Sequence, residues 1–207
     1  MTDTAPPRVD DTSRALLHAA HDLLAHEGPE ALTVRRIATA AGMSTMNVYS
    51  RFGGKDGVLD HLFIDGFQRL GQAMDDVAPS DDPIEDLRRA GEAYRDFARR
   101  WPTYYSLMFD RATHHQPSEA ALATALATLT RLVHLVQRAM DAGAMVRGDA
   151  FAVAAGLWAL QHGLVSLEAR TEEYAGGEPT VGGSGFDWPS IATLTAGALL
   201  GGLRPGR

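Results

Sequence analysis

The feature that most constrains the fold of this chain is a helical periodicity that runs almost from end to end. Apolar residues recur three and four positions apart from residue 12 to residue 202, and no stretch alternates like a strand. Glycine and proline interrupt the pattern at short intervals, as at Gly28, Gly42 and Gly53. The sequence therefore predicts an all-α fold of about nine helices.

The predicted helices cover residues 12–27, 34–41, 45–50, 55–76, 83–100, 102–111, 118–142, 149–170 and 189–202. The glycine-rich stretch 172–187 breaks the pattern, and we expect it to be a mobile loop. Residues 1–11 are expected to form a flexible N-terminus without a signal peptide, because they lack an apolar core flanked by positive charge.

The composition argues against several classes of protein. The chain has no cysteine, which excludes disulfides and thiolate chemistry and suits a cytoplasmic protein. No apolar run approaches the ~20 residues that span a bilayer, so no membrane partner is expected. The eight histidines do not fit the His-Glu-x-x-His pattern, and neither Gly-x-Ser-x-Gly nor a phosphate-binding glycine loop is found. We therefore expect no enzyme, no metal and no cofactor.

The charge of the chain is unevenly distributed. The net charge of −7 is unfavourable for binding nucleic acid, yet residues 12–55 contain five basic residues against three acidic ones. A mildly basic N-terminal region on an acidic remainder is compatible with a protein that contacts DNA at one end only.

Three residues near the N-terminus have the spacing of a helix-turn-helix. Ala38 is small enough for two helices to cross closely, and Gly42, four residues later, tolerates the positive φ of a turn. Val48, six residues further on, supplies an apolar side chain that faces back onto the first helix. This spacing indicates a helix-turn-helix, although such patterns also arise in other helical proteins.

The residues around this corner resemble the signature of the TetR family of transcription regulators. The segment GMSTMNVYSRFGGKDGVL from Gly42 to Leu59 matches its second half, and TVRRIATAAG from Thr33 matches its first half. The resemblance covers residues 12 to about 65 and departs at Gly57, where a better helix former is usual, and at Met46, which is unusually large. It implies a DNA-binding domain over 12–58, with a three-helix head, and a regulatory, ligand-binding and dimerisation domain over 59–207.

The resemblance also implies which side chains bind DNA. Ser44 is expected to cap the recognition helix, and Thr45, Met46 and Asn47 to enter the major groove, where asparagine recognises adenine. Phosphate contacts are expected from Thr33, Arg36, Tyr49 and Lys55. Three alternatives stay open: Tyr49 as a packing aromatic, Asn47 as a residue that ends or caps a turn, and Arg35 as a solvated charge.

Two C-terminal segments resemble one type of TetR regulatory domain, which is known for a Trp…His-Gly motif. They are RWPTYYSLMF from Arg100 and LWALQHGLVSLE from Leu157. In such proteins the last two long helices form a four-helix dimer interface, here implying Phe151, Leu157, Leu160, Leu164, Leu167, Ile191, Leu194 and Leu199. The remaining helices can enclose an apolar ligand pocket, for which the candidates are Phe97, Trp101, Tyr104, Tyr105, Met108, Phe109, Trp158 and His162. The alternative is that these aromatic residues are simply core.

The sequence therefore predicts a sequence-specific DNA-binding transcription regulator. Its expected partners are a palindromic double-stranded DNA operator, a second copy of the chain in a homodimer, and an unknown small-molecule effector that releases a repressor from DNA. The alternative is a helical ligand-binding or interaction protein without specific DNA binding.

Overall fold

The computed structural model describes residues 10–110, 115–175 and 186–205, and the described residues are helical and contain no strand. The helices are α1 (Asp11–Glu27), a 3₁₀ turn (Pro29–Ala31), α2 (Val34–Ala40), α3 (Thr45–Phe52), α4 (Lys55–Asp75), α5 (Pro83–Arg100), α6 (Pro102–Phe109), α7 (Glu119–Asp141), α8 (Ala150–Ala175) and α9 (Trp188–Gly202). The predicted all-α fold is confirmed.

Most helix ends lie within two residues of their predicted positions, and the main difference is at α8. This helix continues to Ala175, so the prediction of a loop from residue 172 is wrong. The reason is local: Thr171 to Ala175 contains no glycine or proline, and the helix has no stop signal before Gly176. The rest of that predicted loop, 176–185, and most of the predicted flexible N-terminus, 1–9, lie outside the described residues.

The first of two compact units comprises residues 1–67 and 101–124. Its core is built from side chains of α1 to α4, including Leu16, Ile37, Val48 and Leu62, which are fully or almost fully buried. Helix α6 belongs to the same unit, where the ring of Tyr104 lies 5.0 Å from that of His21 on α1. This unit therefore extends beyond the predicted boundary at residue 58.

The second compact unit comprises residues 68–100 and 125–207. Its apolar core combines residues from α5, α7, α8 and α9 and from the turn before α8, namely Ile84, Leu87, Val136, Ala139, Met140, Met145, Ala154, Leu157 and Leu200. At the start of α5 the buried Asp86 carboxylate accepts hydrogen bonds from Ser80 and pairs with Arg89 and Arg138. These bonds fix the loop before α5, because a buried carboxylate is stable only when its oxygens have partners.

Two of the described helices, α7 and α8, have apolar surface that is not buried within the chain. Glu119–Asp141 and Ala150–Thr171 have mean hydropathies of 1.3 and 1.5 and are long and apolar enough to cross a membrane, yet only 17% and 22% of these segments is buried. The sequence search for an unbroken apolar run missed them because threonine, glycine and a few charged residues divide both. Amphipathic helices at protein interfaces share this character, and their open faces are available for contact.

Candidate functional site

The predicted helix-turn-helix corner is present in the first unit. Gly42 has the positive φ of +67° that the turn requires, and the amide of Met43 donates to the carbonyl of Ala38 over 2.8 Å. Ala38 and Val48 are buried where α2 and α3 pack together. The three positions therefore have the structural roles that their spacing predicts.

The N-terminus of α3 differs from the prediction in one respect. Ser44 occupies the N-cap position with extended backbone, but its hydroxyl makes no hydrogen bond to a backbone amide of the helix. Instead Ser44 Oγ accepts from the side-chain Nδ2 of Asn47 over 3.3 Å. The side-chain cap prediction for Ser44 is therefore wrong, because the amide group of Asn47 competes for the same hydroxyl.

Asn47 belongs to a chain of polar contacts that the sequence interpretation missed, which we call the Asn47 network. Its Oδ1 accepts from Arg51 Nη1 over 3.2 Å, and Arg51 Nη2 donates to Asp10 Oδ2 over 3.1 Å. Asp10 also caps α1, since its carboxylate accepts from the amide of Ser13 at 2.7 Å. The spacing of Asn47 and Arg51, one helical turn apart, is the sequence signal that could have indicated this pair.

The outward face of α3 is available to a partner. Met46 and Tyr49 are 69% and 54% exposed, and Thr45 is exposed beside them, whereas Val48 and Phe52 face the core. The exposure of Tyr49 disfavours its interpretation as a packing residue. Asn47 is half-buried in its network, but each of its amide atoms retains one further hydrogen-bonding position. The face can therefore offer hydrogen bonds and apolar contact to a groove.

The cations around this face fall into two groups. In the first group, Arg36 pairs with Glu27 at 2.6 Å and Arg51 pairs with Asp10. The neighbouring Thr33 is not charged and caps α2 by accepting from the amide of Arg36. Arg35 and Lys55 make no ion pair with any residue that the structure describes, and Arg35 is exposed. The cation of α2 that is free to meet a phosphate is therefore Arg35, for which the sequence analysis left open the role of a solvated charge.

Gly57 shows why the chain departs from the usual helix former at this position. A Cβ on Gly57 would lie 1.7 Å from the carbonyl oxygen of Phe52 and 2.8 Å from its carbonyl carbon. These are backbone atoms that cannot move aside. Glycine is thus required where the end of α3 meets the start of α4, because only glycine permits this close approach of the two helices.

The residues predicted to line a pocket are divided between the two units. In the first unit Tyr104, Tyr105 and Met108 are buried, the rings of Phe67 and Phe109 lie 5.7 Å apart, and Trp101 contacts Tyr104 edge-on at 6.0 Å. In the second unit Phe97 is buried, whereas Trp158 and His162 meet the hydroxyl of Tyr94, at 3.3 Å in each case. Tyr94, which sequence reasoning missed, connects these two side chains.

The eight residues predicted for a dimer interface also divide. Phe151, Leu167, Leu194 and Leu199 are exposed, and Leu160 and Ile191 are half-buried. Leu157 and Leu164 are buried in the chain itself, so their placement on an interface face is wrong. The reason is that they lie on the side of α8 that packs within the unit. Small residues have open space beside them, since a Cβ added to Gly156, Gly163, Gly197 or Gly201 would meet nothing within 4 Å.

No cluster of three or more histidine, aspartate or glutamate residues suitable for a metal ion occurs in the described parts of the chain. His18 and His21 both face Asp22, at 3.1 and 3.4 Å, and His115 faces Asp60 at 3.3 Å. Each of these contacts joins a histidine to one carboxylate, and the buried Nδ1 of His115 has no hydrogen-bond partner among the described residues.

Comparison with known proteins relates both ends of the chain to one family. The model for bacterial regulatory proteins of the tetR family matches residues 16–62, and the model for the tetracyclin repressor-like C-terminal domain matches residues 87–179. The comparison with curated protein sequences gives no match.

Several solved structures share the fold over nearly their whole length. A protein of unknown function from Rhodococcus sp. RHA1 is 24% identical, with a TM-score of 0.80 over 98% of this chain and 100% of its own. The TetR family regulator PfmR from Thermus thermophilus is 19% identical, with a TM-score of 0.67 over 92% and 99%. AibR, solved with isovaleryl coenzyme A and operator DNA, is 17% identical, with a TM-score of 0.66 over 92% and 98%.

The helix-turn-helix corner, the exposed face of α3 and the two matching family models lead to the same assignment. The chain belongs to the TetR family of bacterial regulatory proteins and is a DNA-binding transcriptional regulator.

Proposed function

We propose that this regulator binds a palindromic operator as a homodimer, represses transcription there, and leaves the operator when a small molecule binds its C-terminal domain. The single observation that carries the DNA-binding part is the outward face of α3, on which Thr45, Met46 and Tyr49 are exposed and Asn47 is half-buried. A helix of this kind enters the major groove, where Asn47 recognises an adenine edge and Thr45 or Met46 contacts a thymine methyl.

Phosphate contacts position this helix without selecting sequence. We assign them to Thr33, Tyr49 and Lys55, and we add Arg35 because it is exposed and has no ion-pair partner in the described part of the chain. Arg36 contributes less, because Glu27 already neutralises its charge at 2.6 Å. The same arrangement explains how a chain with a net charge of −7 binds a polyanion at one end.

Dimerisation is supported by the exposed apolar face of α8 and α9. Phe151, Leu167 and Leu194 are each more than half exposed in the single chain, and small residues between them allow two helices to approach closely. A two-fold dimer presents two α3 helices to half-sites about one helical turn apart, ~34–36 Å, or a multiple of this distance.

Two observations support release by an effector: α4 contributes residues to both compact units, and a protein of the same fold was solved with a small molecule and operator DNA. Helix α4, Lys55–Asp75, contributes residues to both compact units. A ligand that favours one position of α4 would change the separation of the two α3 helices and disfavour operator binding, with a typical coupling of ~1–3 kcal/mol. AibR, which has the same fold, was solved with isovaleryl coenzyme A and with operator DNA.

The proposal is tested by selecting bound duplexes from a random DNA pool with the purified full-length chain at two salt concentrations. Enrichment of an inverted repeat at both salt concentrations is the expected result. Weak, salt-sensitive binding without enrichment would instead favour a helical ligand-binding or interaction protein.

A further inference from the structure

Helices α5 and α8 of the second unit face each other along a seam that contains polar side chains in regular register. On α5, Gly91, Tyr94 and Arg95 have the spacing of one helix face, and on α8 Trp158, Gln161 and His162 have the same spacing. The two sets meet: Tyr94 Oη lies 3.3 Å from His162 Nδ1 and accepts from Trp158 Nε1 at 3.3 Å.

Arg95 is the unusual residue of this seam, because it is buried without a partner. The residue is only 8% exposed, and its Nε is enclosed and lacks a hydrogen-bond acceptor. No hydrogen bond or ion pair of Arg95 is found among the described residues. Glu168 is a neighbouring acidic residue that could pair with Arg95, but its carboxylate already accepts a hydrogen bond from Arg99 over 2.7 Å. Burial lowers the pKa of Arg95 and the charge of Arg99 lowers it further, against the smaller raising effect of the charges of Glu168, Asp96 and Glu92.

A buried guanidinium without a hydrogen-bonded anion is an unfavourable arrangement in a folded chain. Surface arginines on the same helix avoid it, as Arg88 does by pairing with Glu85 and Glu92. The free-energy cost of a buried, unpaired cation is removed when a bound ligand supplies the missing negative charge, so such a cation favours binding of an anion. The planar fork of arginine matches carboxylate and phosphate groups, which accept two parallel hydrogen bonds from it.

The neighbouring side chains add a second polar position and an apolar one. Gln161 Oε1 is buried and has no hydrogen-bond donor in the described structure, so it can accept from a ligand hydroxyl or amide. Gly91 makes room for Gln161, since a Cβ on Gly91 would lie 2.8 Å from Gln161 Nε2. Trp158 is 37% exposed and offers the face of an indole ring to a hydrocarbon group.

We propose that Arg95 binds the anionic head group, a carboxylate or a phosphate, of a small amphipathic effector at the α5–α8 seam. Gln161 binds an adjacent hydrogen-bond donor, and Trp158 packs against the apolar part of the molecule. This inference rests on the proposed function, because it names the chemical class of the effector that the regulator senses.

The test compares three probes with the same hydrocarbon chain: octanoate, octyl phosphate and octanol. Thermal unfolding and tryptophan fluorescence of the full chain report binding. We expect at least one anion to raise Tm and change the fluorescence, while octanol does neither at equal concentration. The anion that acts identifies the head group as carboxylate or phosphate.

Variants assign the effect to Arg95. We expect Arg95→Met to weaken anion binding about 10- to 100-fold, the effect of losing a charged hydrogen-bonded pair, and to raise the Tm of the ligand-free chain because an unpaired buried charge is removed. Arg95→Gln, which is smaller and neutral, should lose the anion response as well. The matched control is Arg88→Met, a surface arginine on the same helix, which should bind the anion like the wild type.

Three results would overturn the inference. They are equal stabilisation by octanol and the anions, unchanged anion binding by Arg95→Met, or no response of the wild type to either anion. Operator binding is measured on the same wild-type sample. A chain that binds its operator but ignores both anions contradicts this inference alone, whereas failure to bind any operator contradicts the proposed function.

Discussion

Arg51 donates a hydrogen bond to the side-chain oxygen of Asn47, one turn earlier on α3, over 3.2 Å. The same guanidinium is held by Asp10 from the start of α1. The amide that we propose to read a base is thus oriented by a cation that is itself held by Asp10, the N-cap of α1. Pre-orientation of this kind reduces the entropy lost when asparagine meets an adenine.

The first prediction concerns base preference. Asn47→Ala should lose about 1–3 kcal/mol of discrimination at one base pair of each half-site, and Arg51→Met should lose up to about 1 kcal/mol there because Asn47 becomes free to rotate. Affinities for single-base variants of the selected operator measure this. The control, Arg35→Met, should weaken all duplexes alike. If Arg51→Met also weakens all duplexes alike, Arg51 contacts phosphate and does not orient Asn47.

The second prediction concerns acid stability. Hydrogen bonds from Arg51 and then from the amide of Ser13 lower the pKa of Asp10 from 3.8 to about 2. Because the folded pKa lies below the unfolded one, the ionised carboxylate stabilises the fold above about pH 4, and this contribution is lost as the pH falls towards 2. The Tm difference between wild type and Asp10→Asn should therefore be present at pH 5–7 and vanish near pH 2.

Circular dichroism melts at a series of pH values measure this difference. Asparagine still caps α1, so the comparison isolates the charge. In an Arg51→Met background the difference should be much smaller at every pH. A difference that persists unchanged at pH 2 would show that Asp10 stabilises the chain by some other contact.

The third prediction separates the cations of the proposed DNA-binding face. Lys55→Ala and Arg35→Ala should each reduce the slope of log affinity against log salt by about one, because each removes one phosphate contact. Arg36→Ala should reduce it less, since Glu27 holds Arg36. Fluorescence anisotropy at several salt concentrations gives the slopes. A larger change for Arg36→Ala than for Arg35→Ala would reverse the assignment.

The fourth prediction is that Gly57→Ala destabilises the chain. Alanine in a helix is normally favoured over glycine by about 1 kcal/mol, but here its Cβ would lie 1.7 Å from the carbonyl oxygen of Phe52. Overpacking of this kind costs about 1–3 kcal/mol or more. Chemical denaturation measures the change. Gly148→Ala, where a Cβ meets nothing within 4 Å, is the control and should be close to neutral; an equally neutral Gly57→Ala would contradict the close approach.

The fifth prediction concerns the proposed dimer. Leu194 is 74% exposed on α9, and Leu194→Glu should dissociate the dimer, at a cost of about 2 kcal/mol or more for each copy, because it places a charge in an apolar interface. Sedimentation velocity at several concentrations measures this. Leu122→Glu changes a leucine on α7 that is 54% exposed and should leave the dimer intact. A Leu194→Glu variant that stays dimeric would place the interface elsewhere.

Much of the fold follows from local signals in the sequence. The helix limits follow from periodicity and from stop residues, and Gly42 and Val48 have their expected places because a tight corner permits few residue types. The predicted end of α8 is wrong because residues 172–175 continue the helix. The first glycine of the glycine-rich stretch is Gly176, four residues after the predicted start of the loop.

The side-chain contacts were harder to predict, because they depend on which face of a helix is covered. Leu157 and Leu164 are apolar like Leu194, and only the packing of α8 shows that they face the core. Arg35 and Arg36 are identical residues, and only the position of Glu27 decides which is paired. Arg95 gives no sequence signal at all, since its burial and lack of a hydrogen-bond partner depend on how the helices pack around α5.

Moving the half-sites apart shows whether two copies of this chain recognise an inverted repeat. The affinity of the purified chain for the selected duplex is compared with that for the same half-sites separated by about five additional base pairs, half a helical turn. We expect a large loss of affinity, towards that of a duplex with one half-site, because the second α3 helix then faces the wrong side of the DNA. Equal affinity for both duplexes would contradict it.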